Sequence, residues 1–258
     1  MFGAGFGNAA SGTPINAILA YSPHNVWDSE HITQGGGVFE LSDYNIVGTK
    51  INLKADTALS IPEISNWAAK SGVPSVIFNG TGNMVYNTGI EAAEFRESDS
   101  TGVYVSVFKR LDTGTNRNLF LLTSTNGDIT NKSINQTINS SSSAFEQQFK
   151  DASAGRDNVS FGSSTVVEND ANVFAVSFNG DGVYKFNVNG SNDTPITVTA
   201  ESSWFNSVSN RNNVAIGGLI GSPTIYANIE WCFTGYFPYV SDDTTLEIIS
   251  VLKSKYGV

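Results

Sequence analysis

The sequence predicts an all-β protein with a short C-terminal helix. Composition, the period of the apolar residues and the turn residues support this prediction. Ser, Asn, Gly and Thr make up 104 of the 258 residues, whereas 15% of the residues are charged. Such a composition favours turns and hydroxyl-rich strands over helices. The hydrophobic fraction of 40% exceeds what a disordered chain carries, so we expect a folded core.

The strongest strand pattern lies in the second half of the chain. Residues 183–188 alternate apolar and polar side chains, which is the period of two that a strand with one solvated face shows. The strand before it spans 173–178. Between the two, Asn-Gly-Asp-Gly at 179–182 favours a tight hairpin because these residues accept positive φ. A second Asn-Gly turn leads to a strand at 195–199, so an antiparallel meander is predicted.

Other predicted strands are separated by polar turns. They lie at 38–41, 45–47, 75–78, 102–109, 118–123, 214–218 and 225–237. The low-complexity stretch 130–143 is predicted to be a surface loop, in which Ile134 and Ile138 would permit a marginal helical turn.

Helix is predicted in two places. Residues 64–70 would form at most one or two turns, and a longer C-terminal helix spans 244–256. The apolar face of the longer helix carries Leu246, Ile249 and Leu252. Thr244 and Glu247 fit a capping box at its start, and Gly257 fits its end. We expect this helix to pack across the β structure.

The charge of the chain disfavours several partners. The net charge is −10 and no basic stripe is present, so nucleic-acid binding is not expected. An anionic membrane surface is disfavoured for the same reason. No stretch reaches the roughly 18 consecutive apolar residues of a membrane span, so membrane insertion is not expected. No secretory signal pattern opens the chain.

Cofactor and metal sites are not expected. Cys232, the one cysteine, lies in an apolar stretch and is expected to be a buried free thiol. A catalytic cysteine needs a neighbouring histidine, and His24 and His31 lie far away in sequence. Neither histidine has the companions of a zinc motif, and Asp181 alone in a hairpin turn does not make a calcium site.

An ordered series of segments resembles a known superfamily. The series begins with Asn-Val-Trp-Asp at 25–28, Trp-Ala-Ala-Lys-Ser-Gly at 67–72 and Pro-Ser-Val-Ile-Phe-Asn-Gly-Thr-Gly at 74–82. It continues with Val-Tyr-Val-Ser-Val-Phe at 103–108, Phe-Asn-Gly-Asp-Gly-Val-Tyr-Lys-Phe-Asn-Val-Asn-Gly at 178–190, Ile-Gly-Gly at 216–218, Gly-Tyr-Phe at 235–237, Ser-Asp-Asp at 241–243 and Lys-Tyr-Gly at 255–257. Over residues 21–258 the chain resembles the concanavalin A-like lectin/glucanase superfamily, in the laminin-G-type branch common in phage and bacterial surface proteins.

The resemblance implies a two-sheet antiparallel jelly-roll sandwich, with the sheets about 10 Å apart. It does not settle the function, because this sandwich hosts hydrolases, lectins and inert modules. Its glucanase members carry a Glu-x-Asp-x-x-Glu run, which supplies the paired carboxylates of a retaining mechanism. The sequence contains no such run, so a glycan hydrolase is the least favoured function and no catalytic residue is predicted.

The lectin members of the superfamily bind sugars by aromatic stacking together with amide and carboxylate hydrogen bonds. A binding aromatic residue should lie on a loop, since strand aromatics such as Trp231 are expected in the core. Trp204 lies in a polar stretch between predicted strands, and the candidate donors beside it are Asn206, Asn210 and Arg211. These four residues are the predicted ligand site. The alternative for Trp204 is a buried loop anchor.

Two regions are predicted, a Gly/Phe-rich N-terminal arm at 1–13 and the sandwich at 14–258. The arm could anchor the chain to another surface, because glycines allow a close approach and phenylalanines fill pockets. The candidate anchor residues are Phe2, Gly3, Gly5 and Phe6. A disordered tail is the alternative.

The favoured function is a non-enzymatic virion structural protein, such as a phage capsid decoration, head fibre or tail-associated module. The absence of an export signal and of a disulfide fits a protein that assembles in the host cytoplasm. The expected partners are other virion proteins and, as an accessory role, host surface glycans; a homo-oligomer such as a trimer is left open. The alternative is a carbohydrate-binding, lectin-like module of a surface or secreted protein.

Overall fold

The computed structural model describes residues 15–44, 50–55, 61–112, 117–123, 133–138, 144–151, 155–192, 196–197, 204–208, 210–218 and 226–258. The strands are β1 (Asn25–Asp28), β2 (Ile32–Gly35), β3 (Val38–Leu41), β4 (Leu53–Ala55), β5 (Glu63–Asn66), β6 (Pro74–Asn79), β7 (Val85–Thr88), β8 (Gly102–Arg110), β9 (Arg117–Thr123), β10 (Ser133–Ile138), β11 (Ala144–Asp151), β12 (Gly155–Thr165), β13 (Ala171–Phe178), β14 (Val183–Val188), β15 (Ser191–Asn192), β16 (Ile196–Thr197), β17 (Asn213–Ile216) and β18 (Asn228–Phe237). The helices are α1 (Ile15–Leu19), α2 (Ile90–Glu94) and α3 (Asp242–Tyr256), and a 3₁₀ turn spans Phe205–Ser207.

One sheet, called here the central sheet, has the strand order β15-β14-β13-β8-β18-β6-β5, with β1 paired to β18 and β16 paired to β14. Its strands pair antiparallel. The two middle strands, β8 and β18, are buried along nearly their whole length. This fits the sequence of β8, which is a run of mostly apolar residues, as expected for a strand covered on both faces.

The second sheet, called the outer sheet, has the order β12-β11-β10-β9-β17-β7-β4-β3-β2. Its inner face packs on the central sheet, and aromatic rings fill much of the space between the two. The ring of Tyr236 lies 5.0 Å from that of Phe120 and 5.4 Å from that of Phe95, between centroids. Trp27 meets Tyr236 edge-on at 6.2 Å. Each such pair contributes about 0.5–1.5 kcal/mol beyond the area that it buries.

The C-terminal helix α3 forms a third layer, on the face of the central sheet that points away from the outer sheet. Its buried apolar residues are Ile248, Ile249, Leu252 and Tyr256, and they share a cluster with Val103, Val105 and Val107 of β8. Trp67 donates a hydrogen bond from Nε1 to the Tyr256 carbonyl oxygen at 2.6 Å. The expectation that this helix packs across the β structure is confirmed.

The helix begins earlier than the sequence predicted. Ser241 is its N-cap, and the Ser241 Oγ accepts a hydrogen bond from the Thr244 backbone N–H at 3.2 Å. The predicted capping box of Thr244 and Glu247 is therefore wrong. The N-cap is Ser241, three residues upstream, and its side chain already accepts the hydrogen bond of the Thr244 backbone N–H. Gly257 ends the helix with a φ of +69°, as predicted.

A buried ion pair fastens the helix to the central sheet. Lys255 on α3 contacts Asp28 at the end of β1, and both side chains are almost fully buried. The Lys255 Nζ also lies 2.8 Å from a carboxylate oxygen of Glu30. Burial alone would lower the pKa of Lys255, but the charge of Asp28 and the hydrogen bonds to both carboxylates outweigh burial and raise it.

A bulge in β18 changes which layer its aromatic residues enter. The pairing of β18 with β8 shifts register between Trp231 and Phe233. Trp231 is buried between the sheets, as predicted, whereas Cys232 and Phe233 both lie in the layer beneath α3. Regular alternation along a strand would place Phe233 in the same layer as Trp231, but the bulge places two consecutive side chains against one partner residue and so separates them. Cys232 is a buried free thiol, as expected.

Two further assignments from the sequence are wrong. Glu63–Asn66 is the edge strand β5, paired with β6, where the sequence predicted helical turns. Ser133–Ile138 is the buried strand β10, within the stretch that the sequence assigned to a surface loop. Its polar residues can be buried because they find partners; Gln136 Nε2, for example, donates to Gln147 Oε1 at 2.7 Å.

The predicted fold class is confirmed: the chain is a two-sheet antiparallel β-sandwich with a C-terminal helix. The predicted strand at 45–47 and the candidate anchor residues Phe2, Gly3, Gly5 and Phe6 lie outside the described residues. Within the part of the chain that the structure describes, no helix has the length and apolar character to cross a membrane.

Candidate functional site

The outer sheet has one face in the core and one face that points outward. Along β4, Leu53 and Ala55 are buried, whereas Lys54 between them is exposed. Tyr86 of β7 pairs in register with Lys54, and Glu40 of β3 pairs with Lys54 on its other side. Because residues opposite each other in neighbouring strands share a face, these three side chains form one outward-facing row.

A cleft of about 470 Å³ opens on this outward face. It is lined by Lys50, Asn52, Lys54, Tyr86, Asn87, Thr88 and Glu91. The side chains come from β4 and the residues before it, from β7, and from the short helix α2 that follows β7. Its volume lies in the range of small-molecule binding sites, about 300–1,000 Å³.

Hydrogen bonds within the chain hold the carboxylates at the cleft. Glu40 accepts from Asn52 Nδ2 at 2.7 Å through one oxygen, and its other oxygen lies 3.0 Å from the Lys54 Nζ. Glu91 accepts from Asn87 Nδ2 at 2.7 Å. The same Asn87 amide donates to the Asn52 carbonyl oxygen at 3.0 Å, which ties β7 to the segment before β4. The cleft wall is therefore preorganised by its own polar groups.

The chemistry of this lining suits a polyhydroxylated ligand. Two ammonium groups and a threonine hydroxyl provide donors, and the hydroxyl oxygen and the Glu91 carboxylate provide acceptors, whereas both N–H groups of Asn87 are already donated within the chain. Tyr86 adds a half-buried ring on the same face, with an apolar body and a polar tip. Such a wall can bind hydroxyl groups and accept the flat side of a ring.

Trp204 lies in the core. Its side chain is 1% exposed, and its ring stacks on Phe178 with 5.8 Å between centroids and 20° between planes. The Nε1 atom lies against Gly102, where a Cβ added at the glycine would be 3.0 Å away. Trp204 thus has the position of a buried loop anchor, the alternative role that the sequence left open, and its ring presents no face to solvent.

The other predicted site residues lie on the same loop. Asn206 and Asn210 are exposed, and Asn210 has a φ of +51°. Arg211 is buried and donates to the carbonyl oxygens of Phe95 at 3.1 Å and Phe205 at 2.8 Å. Burial lowers its pKa, against the opposing charges of two nearby carboxylates. Arg211 therefore holds two loops together.

This loop leads to the cleft. The Gly89 backbone N–H donates to the Asn212 carbonyl oxygen at 2.9 Å, and Asn213 pairs with Thr88 in register. The loop that carries Asn206 and Asn210 is thus joined to the segment that supplies Thr88 and the start of α2. A ligand-binding role for these two asparagines stays a prediction.

Sequence reasoning missed the cleft itself. Tyr86 was passed over because no strand was predicted at 85–88, where Val-Tyr-Asn-Thr shows no strict alternation of apolar and polar residues. The position of Tyr86 opposite Lys54 is a signal that could have identified it, but it requires the pairing of strands that are more than 30 residues apart. Among the described residues no cluster of three or more His, Cys, Asp or Glu side chains could hold a metal ion.

No family model and no curated protein matches this chain. Solved structures share its fold. The binding domain of botulinum neurotoxin serotype D is 10% identical, with a TM-score of 0.60, over 91% of this chain and 52% of that chain. The CBM40 of the Ruminococcus gnavus IT-sialidase is 15% identical, with a TM-score of 0.54, over 69% of this chain and 95% of that chain. The K499G mutant of the NanB sialidase from Streptococcus pneumoniae is 16% identical, with a TM-score of 0.54, over 67% of this chain and 27% of that chain.

Proposed function

We propose that this protein is a non-enzymatic carbohydrate-binding module that holds a glycan in the outward-facing cleft of the outer sheet. The observation that carries the proposal is Tyr86, an aromatic side chain on the solvated face of a sheet, within a cleft whose other lining residues are polar or charged. Saccharides combine many hydroxyl groups with flat apolar ring faces, and this lining offers partners for both. The fold shared with CBM40 supports the same function by analogy.

A binding function fits the cleft better than catalysis. Glycoside hydrolysis by a retaining mechanism needs one carboxyl group with a raised pKa and a second one about 5 Å away. Glu40 already binds the Lys54 ammonium and the Asn52 amide. It therefore acts here as a structural partner of Lys54 and Asn52.

The test is a glycan array followed by measured affinities. We expect the purified chain to bind at least one class of oligosaccharide, and Tyr86→Ala to weaken the affinity about tenfold or more, which corresponds to roughly 1.4 kcal/mol. Tyr86→Phe keeps the ring and should bind within a few fold of the wild type. Isothermal titration calorimetry with the best array ligand measures all three.

Tyr239→Ala is the matched control. Tyr239 is 39% exposed in the segment between β18 and α3, so its removal also deletes a surface tyrosine ring, but away from the cleft. It should leave glycan affinity unchanged. An array without any bound glycan would overturn the proposal, as would an affinity that survives Tyr86→Ala. Circular dichroism of each variant separates lost binding from lost folding.

The setting of such a module is a separate question. A glycan-binding module acts at a cell surface or outside the cell, and we propose that location. The virion role predicted from the sequence, with its virion partners and trimeric assembly, stays a prediction. It depends on the arm at 1–13, which lies outside the described residues, and the cleft is compatible with a glycan-binding accessory role on a virion.

A further inference from the structure

Lys50 differs from every other lysine and arginine side chain that the structure describes. The others each contact an acidic side chain or a backbone carbonyl oxygen. The ion-paired ones are Lys54, Arg96, Lys109, Lys185 and Lys255. The carbonyl-bound ones are Lys70, Arg110, Arg211 and Lys253. Within the described part of the chain, Lys50 has no such partner, and it is exposed at the wall of the cleft.

The carboxylates around the cleft are already engaged. Glu40 is shared between Lys54 and Asn52, and Glu91 is bound by Asn87. Glu91 keeps its charge, since the Asn87 amide is neutral, whereas Lys50 is the cation of the cleft lining that has no acidic partner within the described part of the chain. Because the net charge of −10 repels anions from the chain as a whole, an anionic ligand needs such a cation at its binding site.

We propose that the glycan bound in the cleft carries an acidic group, a carboxylate or a sulfate, and that the Lys50 ammonium binds it. This inference rests on the proposed function and names the class of its ligand. A lysine ammonium is a compact charge with three donors, and hydrogen bonds between two charged groups are roughly twice as strong as those between neutral groups. Tyr86, on the same cleft wall, contacts the sugar ring.

The test compares each acidic ligand with its own neutral form. An array that contains neutral, carboxylated and sulfated oligosaccharides identifies the best acidic ligand, and carboxyl reduction or desulfation of that ligand gives the neutral partner. We expect the acidic form to bind about tenfold or more tightly at low ionic strength, with the difference shrinking as salt is added. The array also separates the two sources of charge, because carboxylated and sulfated members occupy different spots.

Three variants assign the charge to Lys50. Lys50→Gln should bring the affinity for the acidic form down to that for the neutral form. Lys50→Arg should keep the preference, because it keeps the positive charge. Lys70→Gln is the control, since Lys70 is an exposed lysine that donates to the Ser254 carbonyl oxygen at 2.7 Å, beside α3. It should leave both affinities unchanged.

The possible failures are distinguishable. Neutral glycans bound as tightly as acidic ones, with an affinity that Tyr86→Ala removes, would overturn the acidic-ligand proposal and leave the glycan-binding function standing. A preference for acidic ligands that persists in Lys50→Gln would overturn the assignment to Lys50. An array without any bound glycan would overturn the function and this inference together.

Discussion

The two sheets of this protein face different surroundings. The central sheet lies between the outer sheet and α3, so its middle strands are covered on both sides. The outer sheet is covered on one side, and its other side carries Glu40, Lys54 and Tyr86 in register. Both faces of the central sheet therefore contribute to stability, whereas one face of the outer sheet is left for a ligand.

This difference explains where charged residues are placed. In the covered middle of the central sheet the ionic groups are largely buried and paired, as in Asp28 with Lys255 of α3 and Lys109 with Glu230. On the outer sheet they are solvated, and Lys50 has no partner among the described residues. A buried charge without a partner is costly, whereas a solvated one is tolerated and can be used for binding. The following changes test that division.

The largest effect is expected from Lys255→Met. The substitution keeps the volume of the side chain but leaves Asp28, which is fully buried, without its cation. Breaking a buried ion pair from one side costs about 3–5 kcal/mol, because the remaining charge stays desolvated. Urea unfolding at neutral pH, followed by circular dichroism, measures the loss in the free energy of unfolding.

Lys185→Met is the control for that change. Lys185 pairs with Asp242 at 2.6 Å, but the two side chains are 37% and 49% exposed. Exposed pairs contribute about 0–1 kcal/mol, so this variant should lose far less stability. Equal losses in the two variants would show that the layer beneath α3 is not the closed environment described above.

A second test addresses the contact between the sheets. Gly217 follows β17 with a φ of +85°, and a Cβ added there would lie 2.3 Å from Phe78 Cδ1 of the central sheet. Gly217→Ala should cost about 1 kcal/mol for backbone strain and about 1–3 kcal/mol for overpacking. Thermal and urea unfolding measure the sum.

Gly37→Ala isolates the strain. Gly37 has nearly the same φ, +82°, in the turn between β2 and β3, but nothing lies within 4 Å of an added Cβ. We expect this variant to lose about 1 kcal/mol, the strain alone. Should Gly217→Ala cost no more than Gly37→Ala, the sheets would pack less tightly at Phe78 than the structure shows.

Local patterns in the sequence were enough for nine of the eighteen described strands. The 183–188 strand and its Asn-Gly-Asp-Gly turn were predicted because period and turn residues are local signals. The strand at Ser133–Ile138 could not be recognised, since four of its six residues are polar and become buried only through partners on β9 and β11. The shift in β18 depends on pairing with β8, which no local pattern encodes.

The candidate site was harder to predict than the fold. The polar stretch around Trp204 was correctly placed outside the strands, but the rings of Phe178 and Tyr184, which bury Trp204, come from other elements. The cleft needs Lys54 beside Tyr86, a pairing that exists only once β4 and β7 are neighbours. Sites assembled from distant strands in this way require the register before their residues can be grouped.

The smallest effect is expected on the outward face of the outer sheet, from Lys54→Gln. The Lys54 side chain is 54% exposed, and its partner Glu40 is 23% exposed and keeps the Asn52 amide as a donor, so the free energy of unfolding should change by less than about 1 kcal/mol. Lys109→Gln is the comparison, because Lys109 pairs with Glu230 on the central sheet and those side chains are only 15% and 5% exposed. Removing Lys109 leaves the Glu230 carboxylate desolvated, with the Ser75 hydroxyl as a remaining donor. We therefore expect Lys109→Gln to lower the free energy of unfolding more than Lys54→Gln does. Urea unfolding of the two variants side by side decides the matter: if Lys54→Gln destabilised the protein as much as Lys109→Gln, the outward face would be needed for folding and would not be free for a ligand.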